Sequence, residues 1–503
     1  MKSIYFTEEH HAFRDNVRDF VTREVVPHAP KWEADRMIPK HFWKSLGDLG
    51  YLGINHPEVF GGSEADFFYS VVFLEEISRA GFGGLSAAVA VHEYMATAHL
   101  SRTGSDALRQ KYLAPAIAGD MLGALAISEP NTGSDVARIE TTAVLDGENL
   151  VVNGSKMFIT NGTSADFITT AVRLRMPEKP PGIALVIIDG SSPGVSTSKL
   201  DKIGWHCSDT AEIGFDHVVV PVENIIGEAN KGFSYIMESF QLERLVGAIM
   251  SIGGMDACLE QTINYMTSRR AFKTPLIRFQ ALRHRLADLM TELETVRHFT
   301  YHTCWLFDQG EVPVAECSMA KLKATELSNQ VVDACLQFHG GYGYMEEYPV
   351  ARMYRDSRVG TIVGGTSEIM REIIAKIQLD SVIYKAAYES ESPAEAESIH
   401  EIMQKLPSQL RTERAAGVDL IVSFALSGDG GGNYTVTIKN GVCSVDSGLE
   451  EQAHCLVEAD ALTYADVATG KMPPEAAFMT GKVKVSDMPQ MIKFTGLFSK
   501  GSS

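Results

Sequence analysis

Apolar residues along this chain recur in two rhythms, and the places where the rhythm changes divide it. After Thr7, the residues Phe13, Val17, Phe20, Val21 and Val25 fall at three- and four-residue steps. That is the spacing of one buried helix face, with Arg14, Arg18 and Glu24 between them as the solvated side. Thr7 suits the helix N-cap, and Glu8 and Glu9 the first turn, where the backbone dipole favours negative charge. Near residue 123 the period shortens to that of strands. The stretch AVLDGENLVV sets Asp146-Gly147 between two apolar runs, a hairpin signal. Asn153-Gly154 and Asn161-Gly162 punctuate further strands, and IALVIID and FDHVVVP are β-branched runs bounded by turns. From about residue 231 long helical spacing returns, ending on an apolar face of Ile369, Ile373, Ile374 and Ile377. Lys385 to Glu397 holds Pro393 and few large apolar residues, the composition of a linker. Beyond it, Ile399, Ile402, Met403 and Leu406 begin a helix, followed by strands at DLIVSFAL, NYTVTIKNGVCSV and HCLVEAD and two short helical stretches.

This order predicts a multidomain α+β chain. Its parts are an N-terminal helical domain over 1–122, a mostly antiparallel middle β-domain over 123–230 and a C-terminal helical bundle over 231–384. A linker over 385–397 and a small α+β domain over 398–503 complete it. Length agrees, since 503 residues exceed what one core organises. With 45% apolar and 22% charged residues the composition is that of a soluble globular protein. No apolar run approaches the ~18 residues of a membrane span, so no transmembrane segment is expected. The opening MKSIYFTEEHHAFRDNV has early glutamates and no apolar core, and does not read as a secretory leader. A formal charge of -19 argues against nucleic acid or an anionic membrane as a general partner. The seven cysteines form no CxxC pair and no metal-ligand spacing. Reduced, inert thiols, a cytoplasmic location and no metal are therefore expected.

Two turn-rich strings carry the candidate chemistry: LAISEPNTGSD at Leu125–Asp135 and MFITNG at Met157–Gly162. Singly, each is bland, because EPNTGSD is ordinary loop composition and Phe158 in a strand reads as core. Together, in this order, they resemble the flavin-binding middle of the acyl-CoA dehydrogenase family, and the resemblance extends over residues 1–380. It implies a helical domain, a β-domain and a helical bundle in that order, with FAD as cofactor. It also implies α,β-dehydrogenation of an acyl-CoA thioester to the 2,3-enoyl-CoA, with electrons passed to an electron-transferring flavoprotein. By matching, Leu125, Ile127 and Ser128 line the flavin ring, Gly133 and Ser134 lie where the backbone passes flavin and substrate, and Phe158 packs on the ring beside Ile159 and Thr160. Arg269 and Phe272 in RRAF, with Gln280, resemble contacts to the flavin of a neighbouring subunit. Gln337, Gly340 and Gly341 in QFHGGYGY resemble the cradle for that neighbour's dinucleotide, which implies a homo-oligomer, dimer or tetramer. Lys273 departs from the family, which has glycine there. Thr366 and Glu368 match flavin-facing positions at the start of a helix.

Removing an α-proton requires a base, here a carboxylate. Where the family's best-known members carry it, in an IYEGTSE-like string, this chain has Gly364. The isovaleryl and long-chain branches carry the base on an earlier helix, in an LERL-like string. Gln241-Leu242-Glu243-Arg244-Leu245 matches that string, so the resemblance makes Glu243 the base. The residues alone point the same way. Ile236, Phe240, Glu243, Gly247 and Met250 share one helix face, on which Glu243 is the sole charge. Its neighbours Ser239, Phe240, Val246 and Gly247 cannot pair that charge, so desolvation should raise its pKa. A structural glutamate bridging two helices is the alternative. Arg244 is expected to organise the substrate pocket, Gln241 to line it, and Gly364 to keep the backbone N–H that polarises the thioester carbonyl. Finally, TGKMPPEAAFMTGKVKV at Thr469–Val485 resembles the sterol carrier protein type 2 family, which implies a lipid ligand in the last domain. A domain that only packs against the enzyme is the other reading. Two rival functions stay open: an acyl-CoA oxidase, and a lipid-binding scaffold on an inactive dehydrogenase fold.

Overall fold

Thr7 caps the helix Glu8–Phe20 as its sequence suggests: the hydroxyl accepts from the His10 N–H, and the His10 ring accepts from the Thr7 N–H. The computed structural model describes residues 4–177, 181–380, 398–428, 430–469, 471–479 and 481–498, so the expected linker 385–397 lies outside the described residues. Contacts divide the chain into two compact units, the second beginning at Glu372.

In the first unit, helix Glu8–Phe20 buries Val17 and Phe20. Arg14 is not on its solvated side, contrary to the periodic reading. Its guanidinium donates to Glu75 at 2.8 Å and to Glu76 at 2.9 Å on the buried helix Phe67–Arg79, and Arg18 also holds Glu76. Tyr301 on helix Gln280–Asp308 donates to the same Glu75. Two adjacent carboxylates inside an apolar helix need cations, and Arg14 is recruited for that reason.

The middle of the chain forms an eight-stranded sheet. Its strands are β1 (Gly123–Ala126), β2 (Thr142–Asp146), β3 (Asn149–Thr160), β4 (Phe167–Arg175), β5 (Gly182–Asp189), β6 (Val195–Lys199), β7 (Thr210–Pro221) and β8 (Ile225–Ile226). The order is β6-β7-β3-β2-β4-β5-β8, with β1 added along β4. Pairings are antiparallel except β1–β4 and β2–β4. The β2–β3 hairpin turns at Gly147-Glu148, one residue beyond the expected Asp146-Gly147, with Gly147 at φ +60°. Along β5, Ala184, Val186 and Ile188 enter one core and Ile183, Leu185 and Ile187 the other, which is why IALVIID is apolar at every position. The second of these cores also takes Ile236 of the 37-residue helix Gly232–Ser268. That helix, Gln280–Asp308 and Val314–His339 make the bundle, with β9 (Arg270–Ala271) and β10 (Thr274–Pro275) forming a small hairpin between the first two. The last helix, Ser367–Ala375, buries Ser367 and Met370, while Ile369, Ile373 and Ile374 are only half-buried.

The second unit has a five-stranded sheet in the order β13-β12-β11-β14-β15. Its strands are β11 (Asp419–Ser427), β12 (Gly432–Lys439), β13 (Val442–Ser447), β14 (Cys455–Asp460) and β15 (Val483–Val485). Helices Ile399–Gln409, Ala461–Ala468, Pro474–Met479 and Met488–Gly496 accompany it, and the core holds Phe424, Val436, Tyr464 and Phe494. After β14 come three helices and a short strand where two helical stretches were expected. The predicted class, helical, β, helical and then small α+β, is the one observed. Among the described residues no helix is long and apolar enough to cross a membrane.

Candidate active site

The two turn-rich strings meet in space. The Ser128 carbonyl accepts the Met157 N–H at 2.9 Å. Beside it the fully buried Lys156 donates to the Ile127 carbonyl at 3.0 Å and to Glu129 at 2.8 Å. Burial pulls the Lys156 ammonium down to about 8, and Glu129 offsets part of that. Burial alone would push the Glu129 carboxyl up, but Lys156 and the N–H groups of Thr141 and Glu140 outweigh it and hold it below the usual carboxylate range. The sequence reading missed this clamp. Its signal was Lys156 in register with Leu150 and Val152, on the inward face of β3.

One residue further, Lys156 opposes Ile213 while Ile159 opposes Ala211, so three steps on β3 match two on β7. The extra residue is a bulge, which re-aims a side chain. It puts Phe158 at φ +64° and leaves its ring 70% exposed, so the core reading of Phe158 fails. Ser128 and Thr160 are half-buried beside it, as is Leu125 on β1. Gly133 and Ser134 are exposed, and a Cβ on Gly133 would meet nothing within 4 Å. Ile127 and Ile159 differ from expectation: both side chains lie in apolar cores, so only their backbone can face a ligand.

Ile127 and Ile236 share one apolar cluster, with Leu125 and Phe240 packed at its edge. The first turns of helix Gly232–Ser268 therefore lie against the first string. Glu243 follows on the same helix, half-buried, with its Oε1 enclosed and without a hydrogen-bond partner. Burial raises its pKa to about 8, and Arg244 offsets only part of that. Arg244 is buried and donates to Gln241 at 2.9 Å and to Ser318 at 3.3 Å. Gln241 in turn donates to the Met237 carbonyl at 3.1 Å. Both ends of its buried amide thus bond within its own helix, which is not the pocket-lining position expected.

Gly364 and Gly365 form a turn with φ +61° and +92°. A Cβ on Gly364 would meet nothing within 4 Å, and among the described residues its N–H has no acceptor. Lys321, also absent from the sequence reading, donates to the Gly365 carbonyl at 2.5 Å. Thr366 accepts the Ile369 N–H at 3.2 Å. The exposed Glu368 is held below the usual carboxylate range by its own N–H and the Thr366 hydroxyl.

The remaining predicted residues gather elsewhere. Arg269, Gln337, Gly340 and Gly341 line a recess of about 690 Å³ that none of the first group lines. Arg269 stacks over the Tyr342 ring at 5.1 Å, and Gly340 at φ +59° ends helix Val314–His339. Phe272 stands at the tip of the β9–β10 hairpin, 92% exposed, and Gln280 is exposed at the first position of its helix. Lys273 completes that two-residue turn at φ +66°, a conformation in which glycine is unstrained.

Glu243 has an enclosed, unpartnered carboxyl oxygen on a bundle helix, and Phe158 an exposed ring at a bulge of the sheet. Residues 7–120, 124–218 and 230–379 match the N-terminal, middle and C-terminal domains of acyl-CoA dehydrogenase. Residues 399–499 match the SCP-2 sterol transfer family. The chain is 38% identical over 374 residues to the mitochondrial long-chain specific acyl-CoA dehydrogenase of Sus scrofa, which covers 74% of this chain and 86% of that one. It is 38% identical over 377 residues to the mitochondrial isovaleryl-CoA dehydrogenase of Oryza sativa subsp. japonica, covering 74% and 92%. Among solved structures, a probable acyl-CoA dehydrogenase from Mycobacterium abscessus superposes with a TM-score of 0.72 at 41% identity, over 74% of this chain and 99% of that one. The chain belongs to the acyl-CoA dehydrogenase family, as an enzyme carrying a C-terminal SCP2 domain.

Proposed function

We propose that Glu243 takes the α-proton of an acyl-CoA thioester in FAD-dependent formation of the 2,3-enoyl-CoA. The observation that carries this is the enclosed, unpartnered Oε1 of Glu243 on a carboxyl whose pKa is about 8, suited to accepting a proton near neutrality. The residues present fit a flavin. Phe158 offers an exposed ring, Ser128 and Thr160 offer hydroxyls beside it, and the open backbone at Gly133 and Ser134 allows close approach. FAD, when bound, supplies the two-electron acceptor for the β-hydrogen. Thr366 and Glu368 would meet it from the last helix. Gly364 offers its free N–H to the thioester oxygen, and a preorganised donor of this kind is worth roughly 3–4 kcal/mol at a developing oxyanion. Arg244 holds its helix against Val314–His339 behind the base.

The exposed set of Arg269, Phe272, Gln280, Gln337, Gly340 and Gly341 is read as the site for the FAD of a neighbouring copy, so the working form is a homo-oligomer. The family pattern also supports transfer of electrons to an electron-transferring flavoprotein. The match of residues 399–499 supports a lipid ligand in the last domain. Seven unpaired thiols support a reducing, cytoplasmic setting. Glu243 and the platform weigh against an inactive scaffold. Purified protein should be yellow and should bleach anaerobically when an acyl-CoA is added. Failure of every member of a panel of straight, branched and ring-bearing acyl-CoAs would reject the reading.

A further inference from the structure

We infer that Lys321 is a positioning residue that fixes the Gly364–Gly365 turn and so aims the Gly364 N–H at the thioester oxygen. The inference rests on the reaction proposed above. Lys321 lies on helix Val314–His339, 2% exposed, one turn beyond the Ser318 that accepts from Arg244. Among the described residues neither Lys321 nor Arg244 forms an ion pair, so two cations are buried here without a counter-ion in contact. An ammonium in such a place is unfavourable, and an apolar residue would serve helix packing better. Burial and the charge of Arg244 together lower the Lys321 pKa to about 8. Among the described residues the one hydrogen bond its ammonium makes is to the Gly365 carbonyl.

The turn itself shows why it needs that bond. Two consecutive glycines in the left-handed region have no side chains to lock them and lose the most freedom on ordering. On the near side, the N–H groups of Ile362 and Val363 both end on the Val359 carbonyl. On the far side, the Met370 N–H ends on Thr366. Between them, among the described residues, Lys321 makes the only hydrogen bond to the peptide groups of Gly364 and Gly365. A donor stabilises an oxyanion well only if it is already in place when the charge forms. Lys321 transfers no proton; it holds the Gly365 carbonyl, two peptide units on from the Gly364 N–H, and so fixes the turn that carries the donor.

The test uses the flavin-loaded full chain and 3-thiaoctanoyl-CoA, which can lose its α-proton but cannot be dehydrogenated. Its enolate beside flavin gives a long-wavelength absorption band, and the pH midpoint of that band reads stabilisation of the thioester oxygen. In Lys321→Met the midpoint should rise by at least about one pH unit, the tenfold weakening expected when a preorganised donor is loosened. With an oxidisable substrate, kcat should fall about ten- to a hundredfold while KM moves less than about threefold, the pattern of an interaction made in the transition state. Lys321→Arg keeps a charged donor and should stay nearer the wild-type midpoint than Lys321→Met. A wild-type midpoint in Lys321→Met would overturn the inference. So would loss of the flavin-loaded fold in both variants, which would make Lys321 a structural residue. If the wild-type protein itself gives no band, the failure lies with the proposed reaction and not with Lys321.

Discussion

Burial raises the Glu243 carboxyl pKa to about 8, Arg244 offsets only part of that, and its Oε1 has no hydrogen-bond partner. The folded protein keeps the carboxyl proton while the unfolded chain releases it near 4.5, so folding stability falls as pH rises between those values. Glu243→Gln should therefore melt higher than wild type, with a gap that is small near pH 5 and largest near pH 8. A gap independent of pH would show that the carboxyl is not raised. In the sequence this residue was singled out by the family's LERL-like string; the lone charge on a helical apolar stripe pointed the same way but left a structural glutamate open. Lys156, Lys321 and the exposure of Phe158 were not legible there. Each lysine depends on a partner on another element, Glu129 for one and Gly365 for the other. The exposure of Phe158 depends on a bulge, which exists only once β3 is paired with β7.

At the scale of elements, periodicity located the helices and hairpins but not what charged residues between apolar ones would meet. Arg14 shows the difference. Spacing put it outside, and the buried Glu75 and Glu76 drew it in. Removing Arg14 leaves two buried carboxylates undercompensated, with Arg18 still on Glu76 and Arg297 and Tyr301 on Glu75, so Arg14→Ala should cost about 3 kcal/mol in urea unfolding. Arg23→Ala, in an exposed pair with Asp19, should cost well under about 1 kcal/mol. Equal losses in the two variants would mean that the network around Glu75 contributes no more than a surface contact. In the last domain β11 and β14 were readable, β12 and β13 were read as one stretch, and β15 was not read, since three residues carry too little pattern.

The whole molecule divides its predicted flavin contacts into two surfaces. One is the exposed Phe158 ring with Ser128 and Thr160 beside it, and the other is the exposed recess at Arg269 and Gly340. If the second serves a neighbour's cofactor, Arg269→Glu should lose FAD on dialysis while its melting temperature without flavin stays unchanged. Full flavin occupancy in that variant would remove the support for an intersubunit site. The resemblance had already supplied the order of domains and the family. The geometry supports the proposal that the proton goes to Glu243, and that is the claim to test first. The most direct measurement is rapid-mixing reduction of enzyme-bound flavin by an accepted acyl-CoA, comparing wild type with Glu243→Gln at pH 8. Loss of the general base should slow reduction by ~10²–10⁴-fold while flavin and acyl-CoA remain bound. Reduction at the wild-type rate would contradict the assignment and send the proton to another group.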